Sequence, residues 1–439
     1  MNDDAITAIH GWIDQRREEM VADLVTMVEK ESVFPNELPI QRDVVEPMMR
    51  SMGFDEVARV NLDSEGDRPF VVGAWRGTGG GRSLLLNGHI DTVGVPGTMG
   101  DRWTTDPWRA VIEDGKLFGR GSSDMKAGIV AMLWAVKAVQ SAEVQLRGDV
   151  LVEVVPGEET MRYDIGTVGA TNWFLERGYD IPFAIVTEPT HLEIHTRSVG
   201  LLDYIIEISG REIHGSMRNL TKFPQRFGVP QGREVGVDAI ALMTQMLLRL
   251  EDLERQWAMR WRQADHGGGG DRNPDIQGVG AWGINTTFVN AGTYVGSVPG
   301  YARIDGNISY PSWLEAATIK AEFERVIHLH AQLDDWLRDH PPVVTVGAVY
   351  DWPPHVCPLT PALDVLANAV ERTGTKPVFS GTKFVADAAF LQRECGIPAV
   401  YFGPGDCSMG VHGPNEYVPL DQVIDCAKAL ATFILDWCG

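Results

Sequence analysis

The chain has few cysteines and arranges them without a motif. Five occur among 439 residues, at 357, 395, 407, 426 and 438, and none forms a C-x-x-C pair. That excludes a zinc knuckle and leaves no even-numbered disulfide framework. The expectation is reduced thiols, with Cys407 a small buried filler. Basic residues are also in deficit. Lys+Arg number 38 against 60 Asp+Glu, a formal net charge of -22, which argues against nucleic acid or an anionic membrane as partner. No apolar run approaches the roughly 18–20 residues of a membrane span. The opening Met1-Asn2-Asp3-Asp4-Ala5 lacks the basic region and apolar core of a secretory leader, so a cytoplasmic location is expected. No G-x-S-x-G elbow occurs, which disfavours a serine hydrolase. Gly278 to Gly283 fits G-x-G-x-x-G formally, but strand-like residues follow where a dinucleotide site needs a helix.

What is present is ordinary for a globular enzyme, with 44% hydrophobic and 22% charged residues and length enough for two domains. Residues 5–30 show apolar positions at helical spacing, and 42–52 are helical up to Gly53. Strands are expected at 69–75 and 83–87, with the glycine-rich 76–82 as a hairpin loop and Asn87-Gly88 as a turn. A long ordered loop over 93–123 leads to a helix over 125–140. A strand (149–155), a helix (166–177) and a strand (183–187) follow. This alternation predicts a mostly parallel α/β sheet with helices on both faces. From about Thr196 the pattern changes. A half-exposed strand (201–208), a long helix (235–262), strands at 283–290 and 301–308, a helix (313–330) and a strand (343–349) describe a smaller α+β unit. The α/β pattern returns with helices at 361–372, 385–394 and 420–436 and a strand at 398–402. The predicted organisation is a catalytic domain in two parts, 1–195 and 352–439, with an inserted lid or dimerisation domain, 196–351.

Chemistry-bearing residues recur where these strands end. Leu84 to Leu86 runs into His89 and Asp91. Gly121-Ser-Ser-Asp-Met-Lys-Ala-Gly128 enters a helix with Asp124 at the junction, a position that also suits a plain N-cap. Val154-Val-Pro-Gly-Glu-Glu-Thr160 presents Glu158 and Glu159, adjacent carboxylates that repel unless a cation or proton intervenes. Ile185-Val-Thr-Glu-Pro189 presents Glu188, and Val411-His-Gly-Pro-Asn-Glu416 presents His412. One such site is bland. Five strand-end positions bearing only His, Asp and Glu suit zinc, manganese or cobalt, and a carboxylate shared by two ions is the usual dinuclear hydrolase arrangement. A structural zinc site would favour cysteine instead.

With these five motifs in order over nearly the whole chain, the sequence resembles the metallohydrolase family of acetylornithine deacetylases, succinyl-diaminopimelate desuccinylases, aminoacylases and carboxypeptidase G. The resemblance implies a zinc-exopeptidase-like catalytic domain holding two divalent ions per subunit, zinc by first expectation, with cobalt or manganese as alternatives. It implies that His89 and Glu188 hold one ion, Glu159 and His412 the other, and that Asp124 bridges both. Asp91 would orient His89, and Glu158 would be the general base toward a metal-activated water. His214, in Gly210-Arg-Glu-Ile-His-Gly-Ser216, resembles the small-domain histidine that in some relatives reaches a partner subunit's site, which implies a homodimer or higher homo-oligomer. Residues 217–234 are longer and more basic than the usual family loop.

Substrate recognition departs from the family pattern. Where several relatives hold a substrate carboxylate with arginine, this chain has Val199, Ser309 and Ala389. Arg197, Arg218, Arg303 and Lys383 are the cations that could substitute, and Asp387 fits a family position lining the site. Trp103, Trp108, Trp282 and Trp352 are candidates for an aromatic pocket, though each reads more simply as packing. The expected activity is hydrolysis of a linear amide, with N-deacylation of an acyl-amino-acid-type or atypical substrate foremost. A metallo-exopeptidase or a hydrolytic deaminase is the alternative. A non-catalytic binding protein would have lost Glu158 or a ligand, and none is lost.

Overall fold

The computed structural model describes residues 2–223, 225–261 and 283–439. Residues 262–282, which include Trp282 and all but the last residue of the pattern Gly278 to Gly283, lie outside the described residues. The chain divides into two units. Unit 1 comprises Met1–Thr196, Val356–Ser380 and Ala386–Gly439, and unit 2 comprises Arg197–His355 and Gly381–Val385. Among the described residues no helix is long and apolar enough to cross a membrane.

Unit 1 is built on an eight-stranded mixed sheet. Four strands make its centre: β1 (Leu84–His89), β2 (Val150–Val155), β3 (Ala184–Val186) and β4 (Ala399–Tyr401). They run parallel in the order β2-β1-β3-β4. Phe70–Trp75 and Glu56–Val60 extend the sheet antiparallel beyond β2, and Ile194–Ser198 and Phe379–Thr382 extend it beyond β4. Every residue of β1 and β2 is buried, as expected of parallel strands covered on both faces. On one face Leu84, Leu86, Val150 and Val152 join a core with α1 (Ala127–Ser141) and the C-terminal helix Leu420–Cys438. Thr167–Leu175 packs against β2, and Asp387–Cys395 packs against β3 and β4.

Three local expectations fail here. Asn87-Gly88 is not a turn, because β1 continues through both residues to His89. The buried Asn87 amide satisfies itself on Glu153 Oε1 and Thr167 Oγ1, each at 2.8 Å. The loop at 76–82 does not close a hairpin, because β2 lies between Phe70–Trp75 and β1. The N-terminal helical stretch also breaks in two at Arg16, giving Asn2–Gln15 and Arg17–Val28.

Unit 2 has a four-stranded antiparallel sheet in the order Gly283–Ala291, Tyr301–Tyr310, Gly200–Ser209, Val343–Trp352. Alternate residues Leu202, Tyr204, Ile206 and Ile208 share a core with Ala239–Arg260 and Ala316–Ala331. The first of these helices starts at the Asp238 cap, whose carboxylate accepts the Ile240 and Ala241 N–H groups, four residues later than periodicity suggests. Within 217–234 a short helix, Arg218–Lys222, precedes exposed Phe223 and Phe227.

Candidate metal centre

Parallel strands bring their carboxyl ends to one rim. His89 is the last residue of β1. β2 runs through Pro156-Gly157 into Glu158 and Glu159, and β3 runs through Thr187 into Glu188. The chain leaving β4 carries His412 on the way to the last helix. Asp124 arrives from the loop before α1. It is not a helix cap. Its backbone is extended (φ -120°, ψ 95°), it makes no capping bond, and α1 begins three residues later at Ala127. Gly128, in the first turn of α1, permits this arrangement, because a Cβ there would collide with the Thr187 carbonyl just before Glu188.

The result is two groups of donors that share one carboxylate. His89, Asp124 and Glu188 offer ligand atoms all within 4.8 Å of one another, and so do Asp124, Glu159 and His412. Asp124 turns Oδ1 to His89 Nε2 at 3.0 Å and Oδ2 to His412 Nε2 at 3.4 Å. His412 Nε2 is also 3.1 Å from Glu159 Oε1. Glu188 Oε1 is 3.7 Å from His89 Nε2, buried and without a hydrogen-bond partner. Glu158 belongs to neither group, with its Oε2 3.9 Å from His89 Nε2. Asp91 acts with two different atoms. Its backbone carbonyl, at 3.0 Å, faces His89 Nδ1 more closely than its carboxylate does at 3.7 Å. The carboxylate accepts the Glu159 N–H at 3.1 Å.

Charge in this cluster is unbalanced. Burial, reinforced by neighbouring carboxylates, pushes the Glu158 and Glu188 carboxyls well above their usual range, with His89 opposing. Burial also raises Asp91 to about 7 against the pull of His89, with Glu159 and Glu37 adding to the rise. Burial alone would lower His89, but Glu188, Asp124 and Glu158 outweigh it and push the imidazole well above its ordinary value. His412 is likewise raised to about 11, the hydrogen bonds of Asp124 and Glu159 overcoming burial. Those same two imidazoles draw Asp124 down despite its burial. Carboxylates this close cannot all ionise unless protons or cations compensate them. His89 Nε2 faces Asp124, and His412 Nε2 faces Asp124 and Glu159, at hydrogen-bonding or ion-pair distance. An unpartnered buried carboxyl oxygen beside them completes a donor set that fits divalent cations.

Glu416 is a residue of this site that the sequence motifs do not single out. It is 1% exposed. Its carboxylate accepts the N–H groups of Gly121 (2.9 Å), Ser123 (2.9 Å) and Asp124 (3.1 Å), and Arg120 Nη1 at 2.6 Å. A second buried ion pair, Arg68 with Glu37, lies beside the Glu158–Glu159 loop, where Arg68 donates to Thr160 Oγ1 at 3.0 Å. Asp387 is buried at the start of its helix. Its carboxyl is raised by burial, with Thr167 and His89 pulling the other way.

The remaining expectations fall elsewhere. His214 belongs to unit 2, where it is exposed and its Nδ1 pairs with Ser216 Oγ at 2.8 Å. Arg218 is committed to Asp238 at 2.6 Å, and Arg303 is committed to Asp305 through both Nε and Nη2. Trp352 is buried in unit 2 against Tyr350. Trp103 packs under Arg120, and Trp108 is half-buried. Cys407 is exposed rather than a buried filler, because the loop leaving β4 carries it out of the sheet.

Comparison with known proteins agrees with this geometry. A sequence profile described as Peptidase family M20/M25/M40 matches residues 85–436. The N-formyl-4-amino-5-aminomethyl-2-methylpyrimidine deformylase of Halalkalibacterium halodurans is 29% identical over 99% of this chain and 97% of its own length. The succinyl-diaminopimelate desuccinylase of Gluconacetobacter diazotrophicus is 26% identical over 89% of this chain and 90% of its own. The crystal structure of human carnosine dipeptidase 1 superposes with a TM-score of 0.72 at 17% identity, covering 99% and 98% of the two chains.

Proposed function

The chain belongs to Peptidase family M20/M25/M40 and is a hydrolase of C–N bonds, and from that premise we propose that it is an N-deacylase of small amides lacking an α-carboxylate. The observation that carries the chemistry is the sharing of Asp124 between two His/carboxylate groups, with Glu158 beside them but in neither. His89, Glu188 and Asp124 would hold one divalent ion, and Glu159, His412 and Asp124 the other, zinc being the first candidate. When bound, such ions polarise a carbonyl and acidify water.

The residues of the chain divide the remaining work. The Asp91 carbonyl would accept a hydrogen bond from the His89 Nδ1–H and so leave Nε2 as the nitrogen that would hold an ion. The Asp91 carboxylate fixes the Glu159 backbone. Glu158 takes a proton from the attacking water and passes it to the leaving nitrogen as the C–N bond breaks, releasing a carboxylic acid and an amine. Two observations support the substrate class. Arg218 and Arg303, candidates to grip a substrate carboxylate, are already paired within unit 2. The relative that matches across 99% of this chain is named for removing a formyl group from an aminomethylpyrimidine. We further propose a homodimer in which His214 serves the partner's site. Its support is the exposed edge strand Gly283–Ala291, with Phe288 and Val289 outward.

The test is amine release by zinc-, cobalt- and manganese-loaded protein. The substrates are N-formyl and N-acetyl heteroaromatic methylamines, N-acetyl and N-succinyl amino acids, and dipeptides. Turnover of the carboxylate-free amides is expected. Preference for acyl-amino acids or dipeptides would overturn the substrate class, and inactivity with all three metals would overturn the chemistry.

A further inference from the structure

We infer that Glu416 is a positioning residue that builds the Asp124–Glu159–His412 position before any ion arrives. This rests on the metal-binding reading above and goes beyond it. The two donor groups are supported very differently. His89 and Glu188 are 1% and 2% exposed, held by buried strands on either side of them. Glu159 and His412 stand on loops, and His412 is exposed with a left-handed backbone (φ 58°). No strand end fixes His412, so something else must.

The Arg120–Glu416 pair does so from both sides. Glu416 lies four residues after His412 in one loop, and its carboxylate receives the Asp124 N–H directly, with those of Ser123 and Gly121. Arg120 donates Nη1 to Glu416 and Nη2, at 2.9 Å, to the Gly413 carbonyl next to His412. The Gly119 N–H adds a backbone bond to the Glu416 carbonyl at 3.0 Å. One buried ion pair therefore ties the backbone of the shared ligand to the backbone of the exposed one. Charge-assisted bonds of this kind are about twice as strong as neutral ones, and supporting partners of metal ligands typically govern affinity by about 10–100-fold. Both oxygens of Glu416 are saturated by the clamp, so its role is to hold the ligands, not to be one.

Glu416→Gln tests this, because the amide keeps the shape but turns an N–H toward Arg120 and Gly121. Metal-free protein is titrated with zinc against a competing chelator. Wild type should take two ions. The variant should keep one near wild-type affinity and lose at least tenfold on the other. Asn415→Gly is the control. It removes the same loop's bonds to Thr104 and should leave both affinities unchanged. Equal affinities in Glu416→Gln and wild type, equal weakening of both ions, or the same loss in the control would each overturn the inference. A second measurement does not depend on the variant folding. In metal-free wild type the amides of Gly121, Ser123 and Asp124 should be protected from hydrogen exchange, and exchange at open-loop rates would overturn the clamp. A wild type that binds no divalent ion would overturn the functional reading itself, whereas two ions bound equally well without Glu416 would overturn this inference alone.

Discussion

Replacing Glu158 with glutamine separates proton transfer from metal binding more cleanly than any other change in the centre. The two side chains are nearly isosteric, and Glu158 is outside both donor groups, 3.9 Å from the nearest imidazole nitrogen. Glutamine cannot accept the water proton. A positioned general base contributes typically 10²–10⁴-fold, or about 3–5 kcal/mol of barrier at about 1.4 kcal/mol per tenfold. The expected result is a fall of that size in kcat, with KM and metal content within about twofold of wild type. Loss of the acid limb of the kcat/KM profile should accompany it. The assay is steady-state amine release alongside metal analysis of the same preparation, with Glu159→Gln as the contrast that sheds an ion. Two results would refute the reasoning. A kcat within tenfold of wild type would remove Glu158 from proton transfer. Loss of metal to the extent seen in Glu159→Gln would place it among the ligands.

Two further predictions concern the supports of the site. Glu153, buried in β2 and bonded to Asn87 and Thr171, has its carboxyl pushed up from 4.5 to about 8 by burial, the two hydrogen bonds opposing. The folded state therefore holds a proton that the unfolded chain releases, so stability should fall as pH rises from about 4.5 to 8, by up to about 1.4 kcal/mol per unit. Glu153→Gln mimics the protonated acid and should flatten that decline in urea melts at pH 5.5 and 8, and parallel curves for the two proteins would contradict it. Arg68→Met should cost about 3–5 kcal/mol by stranding the buried Glu37 carboxylate. Glu37→Leu with Arg68→Met should recover most of it, and a single-variant cost below about 1 kcal/mol in denaturant titration would show the pair to be dispensable.

What the sequence made legible were elements whose cause is local. The apolar runs of β1 and β2, the periodicity of the helix over 239–260 and the His89, Glu158, Glu159 and Glu188 side chains that follow β1, β2 and β3 all declare themselves in short windows. What it hid depended on distant partners. Asn87-Gly88 has turn composition, yet Glu153 and Thr167 give the Asn87 amide a buried home, and tertiary pairing overrides propensity. The loop at 76–82 looks like a hairpin until a strand some seventy residues later inserts beside it. Asp124 has the residue type of a cap, but its backbone follows the Glu416 carboxylate, which arrives from 292 residues away. Glu416 itself was invisible because three of its partners are backbone N–H groups, which carry no residue identity to read, and the fourth, Arg120, lies 296 residues away in sequence.

The place of β4 in the middle of the sheet bears on how the polypeptide is made. It lies between β3 and Ile194–Ser198, yet it is synthesised after the whole of unit 2. A growing chain emerging from the ribosome displays His89, Asp124, Glu159 and Glu188 long before His412 exists, on a sheet whose centre is still open. Non-local pairing of this kind is slow and leaves unpaired edges exposed in the meantime. A stop codon before residue 399 therefore does not merely trim the protein: it leaves the sheet without one of its interior strands and the cluster of acids without His412.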